Sequence, residues 1–266
     1  APVGFAMPRV RSLWSSVVLL PVAVGFVFLL IWDLAVRASG STLFPKPYDV
    51  ALGILELMQQ GVLFKYIVAS LFRVTWGFLL ATLVGVPFGL LLGWFRRAQE
   101  AFNPLLQAFR PISPIAWIPV AILWFGVSDL APVFLIFLAS VFPITVSTMA
   151  AVKSVHTVHL RAAQNFGLTG AQLFRKVILP ASLPQIITGL RIALGVAWLV
   201  VVAAEMIAVN SGLGYLIIDA RNAGKRYDLV VAGMVLIGFI GWLLDLLMRQ
   251  VERFQAVKWA YGIRDD

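Results

Sequence analysis

Few residues in this sequence have types and spacings that could do chemistry, and most of them sit inside or beside apolar runs. Glu205 lies deep within "VVAAEMIAV". A carboxylate costs free energy in hydrocarbon, so it either serves a function or bonds to a neighbouring helix or a second copy of the chain. It would repel an anion, which points to a structural or gating role. Arg191, at the start of the same run, could attract an anion or extend its head to the membrane surface. Arg73 and Arg110, near the ends of other runs, allow the same two readings, while Asp33 and Asp245 are expected to be solvated or capped. Trp198 and Met206 share one helical face at a spacing of eight, where packing is the alternative to lining a passage.

Other chemistry is hard to assemble. His156 and His159 are three apart and could approach one metal ion, but two imidazoles without cysteine or carboxylate nearby do not complete a site. No Ser/His/Asp or paired-carboxylate set can be placed on one side of a membrane, so a membrane enzyme is not expected. Nothing matches G-x-x-x-x-G-K-[ST], so the chain has no loop of its own to cradle nucleotide phosphates.

The elements that must position these residues are membrane helices. The chain is 61% hydrophobic and 12% charged, with a mean hydropathy of +0.94; soluble domains carry roughly 25% charged residues. Six apolar runs, about 16–36, 74–95, 105–126, 130–151, 186–209 and 229–248, each approach the roughly 20 residues needed to span a bilayer. The expected fold is therefore all-α: one polytopic membrane domain over residues 1–266, with about six transmembrane helices. The first run is too long for a signal segment and lacks a small-x-small cleavage site, so it is expected to be retained. With no cysteine, disulfide and thiolate chemistry are excluded. Gly85, Gly89 and Gly93 are expected to let helices approach closely.

The net charge of +9 reflects basic residues at the ends of apolar runs, which fits orientation by the membrane better than a nucleic-acid partner. With a cytoplasmic N-terminus the inner side carries Arg9, Arg11, Arg96, Arg97, Lys153, Arg161, Arg175, Lys176, Arg249, Arg253, Lys258 and Arg264. The outer side then carries Arg37, Lys46, Lys65, Arg221, Lys225 and Arg226. This excess places both termini in the cytoplasm.

Two outer segments and one inner segment are distinctive. In "FPKPYDVALGILELMQQG", Pro45 and Pro47 impose an extended lead-in, and Val50, Ile54, Leu57 and Met58 form the apolar stripe of a short surface helix. "NSGLGYLIIDARNAGKRYD" reads as a glycine-bearing connection; with that helix it could form a docking rim or an ordinary pair of loops. Inside, about 153–184, two short helices are expected. Gly167 would end the first through a left-handed conformation, Thr169 would cap the second, and Pro180 and Pro184 would stop it.

This inner unit resembles the "EAA" loop of binding-protein-dependent ABC importer permeases: Glu-Ala-Ala, three residues, Gly, nine residues, then Ile-x-Leu-Pro. Here it stands as Arg161-Ala162-Ala163, Gln164 to Phe166, Gly167, nine residues, and Val177-Ile178-Leu179-Pro180. The spacing is intact. The departure is Arg161 in place of the glutamate, a change the helix dipole does not favour at an N-terminus. "FPKP", "SLFRVTWGF", "RPISPIAWIPVAILWFG", "FPITVSTMAAVKSV" and "GLRIALGVAWLVVVAAEM" extend the resemblance over about 20–259. They look like the subgroup carrying nitrate, taurine, aliphatic sulfonates, bicarbonate and some heterocyclic nutrients.

The resemblance implies a type I importer permease in a bacterial inner membrane, working as a homodimer with an external substrate-binding protein. Two cytoplasmic ATPase subunits, which bind the ATP and magnesium, would dock on Arg161, Ala162, Ala163, Gly167, Leu179 and Pro180. The chain itself would hold no cofactor and pass a small anion by alternating access, with Arg191, Trp198, Glu205 and Met206 the candidates for the route. The alternative is a secondary transporter driven by an ion gradient, which would want paired intramembrane carboxylates and repeated halves, and no repeat is evident.

Overall fold

The computed structural model describes residues 11–40, 44–222 and 224–252, with 11–18 described by backbone alone. Arg9, Arg253, Lys258 and Arg264, counted above for orientation, lie outside the described residues. Eleven helices follow in order: α1 Arg11–Ser39, α2 Pro47–Gln59, α3 Val62–Trp94, α4 Arg96–Phe109, α5 Ile118–Phe125, α6 Leu130–Lys153, α7 Thr157–Asn165, the single turn α8 Gly170–Leu173, α9 Leu179–Ala208, α10 Leu213–Asn222 and α11 Tyr227–Glu252. There is no strand among the described residues. Five spans are long and apolar enough to cross a membrane: Leu19–Ser39 within α1, α3, α6, the stretch Gly170–Ala208, and α11. The pair α4 and α5, bent by 80°, makes a sixth when the two are counted as one broken span.

The centre of the bundle is α3 against α6 against α9, and glycine sets the spacing. A Cβ on Gly77 would fall 2.6 Å from the Ile136 Cβ, one on Gly89 2.6 Å from the Thr145 carbonyl oxygen, and one on Gly93 2.6 Å from the Val152 Cβ. Gly85 is pressed in the same way against Ile144. Without side chains along this line the two backbones meet closely enough for dispersion contacts that larger residues would hold apart. On α9 the facing residues are also small: Ala193, Ala197, Ala204 and Ala208 are buried.

Three boundaries change. The helix of the run at about 74–95 begins well before residue 74: α3 starts after Gly61 in a left-handed conformation (φ 69°) and runs unbroken for 33 residues, about 50 Å. The third apolar run is not one helix. It breaks between Phe109 and Pro114, where Pro111 and Pro114 remove two backbone donors and bias the preceding residues away from helix.

The third change is at Pro180 and Pro184, which do not stop the chain's helix. The path is helical from Gly170 to Ala208, with a π-helical turn over Phe174–Ile178. The Leu179 N–H donates to the Phe174 carbonyl, five residues back. A widened turn gives the ring of Pro180 room where a regular helix would clash with the carbonyl four residues earlier.

At one end of the bundle, called here the α7 end, α7 and α8 rest on an apolar cluster. Val152, Ala163, Leu173 and Ile178 are buried there, with Leu90, Trp94, Leu160, Leu168 and Phe174 around them. At the opposite, α10 end, α2 lies on α11. The long connection expected between the last two spans contains α10, a helix that the glycine-rich reading missed.

Candidate coupling surface and buried ion network

The α7 end carries the residues picked out by spacing. α7 stops as expected: Gly167 has φ 79°, its N–H donates to the Gln164 carbonyl, and the Leu168 N–H donates to the Ala163 carbonyl. This is the Schellman pattern, with Leu168 and Ala163 meeting in the apolar cluster below. Thr169 occupies the cap position of α8, but its side chain makes no capping bond.

Arg161, Ala162 and Gly167 are exposed, and Leu179 and Pro180 are half-buried. Ala163 differs from expectation: it is buried and anchors α7 inward, so only Ala162 offers a small surface. Two residues not singled out in the sequence stand on this surface, Val158 at 70% and Phe166 at 87% exposure. Their signal was an apolar side chain out of phase with the buried face at Leu160 and Ala163.

At the α10 end, Glu205 is fully buried and fully bonded. Its Oε1 accepts from Arg73 Nη1 at 2.8 Å; its Oε2 accepts from the Ser70 hydroxyl at 2.8 Å and the Gly214 N–H at 3.0 Å. Ser70 in turn accepts from the Leu213 N–H at 2.9 Å. The two side chains therefore satisfy backbone donors at the start of α10, a cap supplied from other helices. Arg73, 1% exposed, also donates to Asp129 through Nε at 2.9 Å and Nη2 at 2.6 Å, and to the Ser211 carbonyl at 2.7 Å.

One guanidinium thus joins α3, the α5–α6 turn, α9 and the α9–α10 link. Gly212 (φ 106°) and Gly214 are required here, because a Cβ at either would collide with Glu205. Sequence reasoning had allowed Glu205 a bond to a neighbouring helix, and Arg73 is the partner it had not identified.

Arg191 is held by a second cluster. Its Nε and Nη2 donate to the two carboxylate oxygens of Asp245 at 2.6 and 3.1 Å, and its Nη1 donates to Glu252 at 3.2 Å. Arg249 also donates to Asp245, at 2.9 Å. This bidentate pairing ties α9 to α11. Trp198 is buried, with Nε1 donating to the Ile237 carbonyl at 3.1 Å and its ring edge seated over Gly241. Met206 is half-buried. The four route candidates are therefore not gathered on one open face: three of them are bonded into the helix bundle.

The remaining candidates are peripheral. The His156 and His159 rings lie 6.3 Å apart, and no group of three metal-ligating side chains occurs among the described residues. Asp33 pairs with Arg37 at 2.6 Å. On α2, Val50 and Leu57 are buried, but Met58 is 60% exposed and falls outside the stripe; Gly53, pressed on Leu229, takes part instead. Arg226 bonds Glu56 at 2.6 Å and holds its carboxyl below the usual range. A groove of about 860 Å³ opens beside these residues, lined by Arg37, Lys46, Asp49 and Lys225 among others.

Residues 85–257 match the family model described as the binding-protein-dependent transport system inner membrane component. The taurine transport system permease protein TauC of Escherichia coli K12 is 37% identical over 230 residues, covering 84% of this chain and 82% of TauC. The bicarbonate transport system permease protein CmpB of Synechococcus elongatus is 34% identical over 249 residues, covering 89% of each. Among solved structures, the MetNI methionine ABC transporter in an inward-facing conformation aligns with a TM-score of 0.65 at 18% identity, over 74% of this chain and 97% of that one. A bacterial alginate ABC transporter, in complex with an alginate-bound periplasmic protein, aligns at 0.61 and 15% identity, over 92% and 98%. The fold is that of type I importer permeases, and by sequence this chain belongs to the binding-protein-dependent transport system inner membrane components, the permeases of ABC transporters.

Proposed function

We propose that this chain is the permease subunit of an ATP-driven importer of a small anion, acting as a homodimer. Its α7 end faces the cytoplasm of a bacterial cell, and both termini lie on that side. Two ATPase subunits, carrying the ATP and magnesium, dock on α7 around Arg161, Ala162 and Gly167, and an external binding protein delivers the solute to the α10 end. Solutes of the kind named for its relatives, taurine and bicarbonate, set the class.

The observation that carries the reading is the rod from α8 through α9. The apolar cluster beneath α7 includes Leu173, Phe174 and Ile178, and the same helical path continues to Ala208 beside Glu205. A displacement of α7 by a closing ATPase therefore has a stiff element to act on, with the π turn as the point where it can bend. The solute's passage itself requires no bond making, so the chain needs only two packings of its helices and a partner that biases them.

The test is purification in mild detergent with the ATPase identified by a peptide containing its phosphate-binding loop. Wild type retains the subunit, and Gly167→Arg loses it, since a side chain at φ 79° costs about 1–2 kcal/mol and stands in the docking surface. Well-folded wild type that retains no such subunit would sink the reading.

A further inference from the structure

α4 is polar along one side. Arg96, Glu100, Asn103 and Gln107 recur at spacings of four, three and four, and Arg110, still helical at the end of α4 (φ −56°, ψ −39°), continues the line three residues on. At 100° per residue these five fall on one narrow face. A cavity of about 460 Å³ opens at the start of that face, lined by Arg96, Gln99, Glu100, Asn103 and Lys153.

The other end of the stripe is deep. Phe109 stacks on Phe142 with ring centroids 6.4 Å apart and planes 4° apart. Phe142 is twelve residues from the start of α6 and eleven from its end. Since α6 crosses the membrane, the break after Phe109 stands at mid-depth, and α4 climbs to it from the level of Lys153.

Arg110 sits at that break, exposed, and forms no ion pair among the described residues. Residues 101–128 contain no carboxylate to neutralise it. Arg73 and Arg191, which stand well inside α3 and α9, are each bonded to two carboxylates. An unpaired guanidinium at mid-depth cannot face hydrocarbon without a penalty of several kcal/mol. Its face, and the polar stripe leading to it, must meet water, and irregular backbone at that depth is tolerated where it lines a cavity. A separate, apolar cavity of about 240 Å³ adjoins the break, walled by Phe109, Ile112, Pro114, Trp117, Leu138 and Phe142.

We infer that Arg110 is the mid-membrane binding residue for the transported anion, and that the polar face of α4 lines its route to the α7 end. The guanidinium takes the anionic group of the solute. The assignment rests on the reading of the chain as a small-anion permease. It places the route along α4 and not at the bonded Glu205 and Trp198.

The chain has no cysteine, so introduced thiols report one position each. In the intact transporter in lipid nanodiscs, Gln107→Cys is reacted with 2-sulfonatoethyl methanethiosulfonate, itself a short sulfonate, and with its trimethylammonioethyl analogue. Each rate is normalised to the same reagent on a free thiol. The sulfonate is expected to react about tenfold faster, the preference expected of one cation a few ångströms away at intermediate dielectric. Arg110→Lys keeps the preference and Arg110→Gln abolishes it. Leu105→Cys, on the opposite side of α4, reacts slowly with both. No labelling at Gln107→Cys, or labelling as fast at Leu105→Cys, overturns the route; equal rates for both reagents with Arg110 present overturn the anion site. Failure of the permease reading would appear separately, as absence of an ATPase from the same preparation.

Discussion

Two clusters of opposite charge hold α9, and they differ in what water reaches. In the first, the side chains of Arg73 and Glu205 are 2% and 0% exposed, and water reaches only the outer partner Asp129, at 59%. In the second, Arg191, Asp245 and Glu252 are 27%, 36% and 19% exposed. The residue types are the same, but the buried cluster needs every lone pair and proton engaged, and Ser70, Ser211, Leu213 and Gly214 supply the remainder. The half-exposed cluster tolerates imperfect geometry because water completes it. Depth therefore turns one pair into a fixed joint between helices and leaves the other as an adjustable contact. Arg110 is the third case, a deep cation with no carboxylate partner among the described residues, and the contrast supports the binding role proposed for it.

The sharpest way to break this contrast is Glu205→Ala. It leaves Arg73 buried with one carboxylate lost, and should lower stability by about 3–5 kcal/mol, read as the midpoint of thermal unfolding in detergent. Replacing both partners, Arg73→Met with Glu205→Leu, should recover part of that loss. A double variant as unstable as the single one would show that the network acts through α10 capping and not through charge.

The joint also depends on register along α3 and α6. Gly89→Ala places a methyl against the Thr145 carbonyl and should cost about 1–3 kcal/mol. Gly25→Ala, which meets nothing within 4 Å, serves as the comparison and should leave the midpoint in place. A smaller effect belongs to the half-exposed cluster. Asp245→Asn should move the unfolding midpoint far less than Glu205→Ala; an equal loss would erase the distinction between the two regions.

The smallest effect is expected at α2. Arg226 donates to Glu56 and lowers its carboxyl pKa through that hydrogen bond. A depressed carboxylate stabilises the fold above its unfolded-state pKa, near 4.5, and that contribution disappears as pH falls through the lower folded-state value. Protection factors of the α2 amides, corrected for the intrinsic exchange rate, should thus fall on acidification, and Glu56→Gln should flatten the acid-side part of that fall.

Much of this was legible in the sequence, and the exceptions have physical causes. Apolar runs long enough to span located the membrane helices, because hydrophobicity over some twenty consecutive residues is a local property. The turn at Gly167 was legible for the same reason: a left-handed conformation is a demand on one residue and its neighbours. Pro180 and Pro184 misled because the cost of proline depends on whether the preceding turn can widen, and Phe174–Ile178 does widen. α10 was missed because its N-terminus is capped by Glu205 and Ser70, so the local sequence carries little of its start signal. Met58 failed because the stripe of a surface helix is decided by what lies under it, here Leu229 against Gly53.

By itself the sequence determined the all-α membrane class, the places where the chain crosses, the spacing of the inner unit and the lack of a nucleotide-binding loop. These depend on composition and on residues a few positions apart. Only the tertiary structure decided that Arg73 meets Glu205, 132 residues away, that Ala163 turns inward while Phe166 turns out, and that Arg110 has no counter-ion among the described residues. Those outcomes depend on which helix faces lie together and in what register, and that is settled by close packing at Gly77, Gly85, Gly89 and Gly93 across α3 and α6, which no stretch of sequence contains alone.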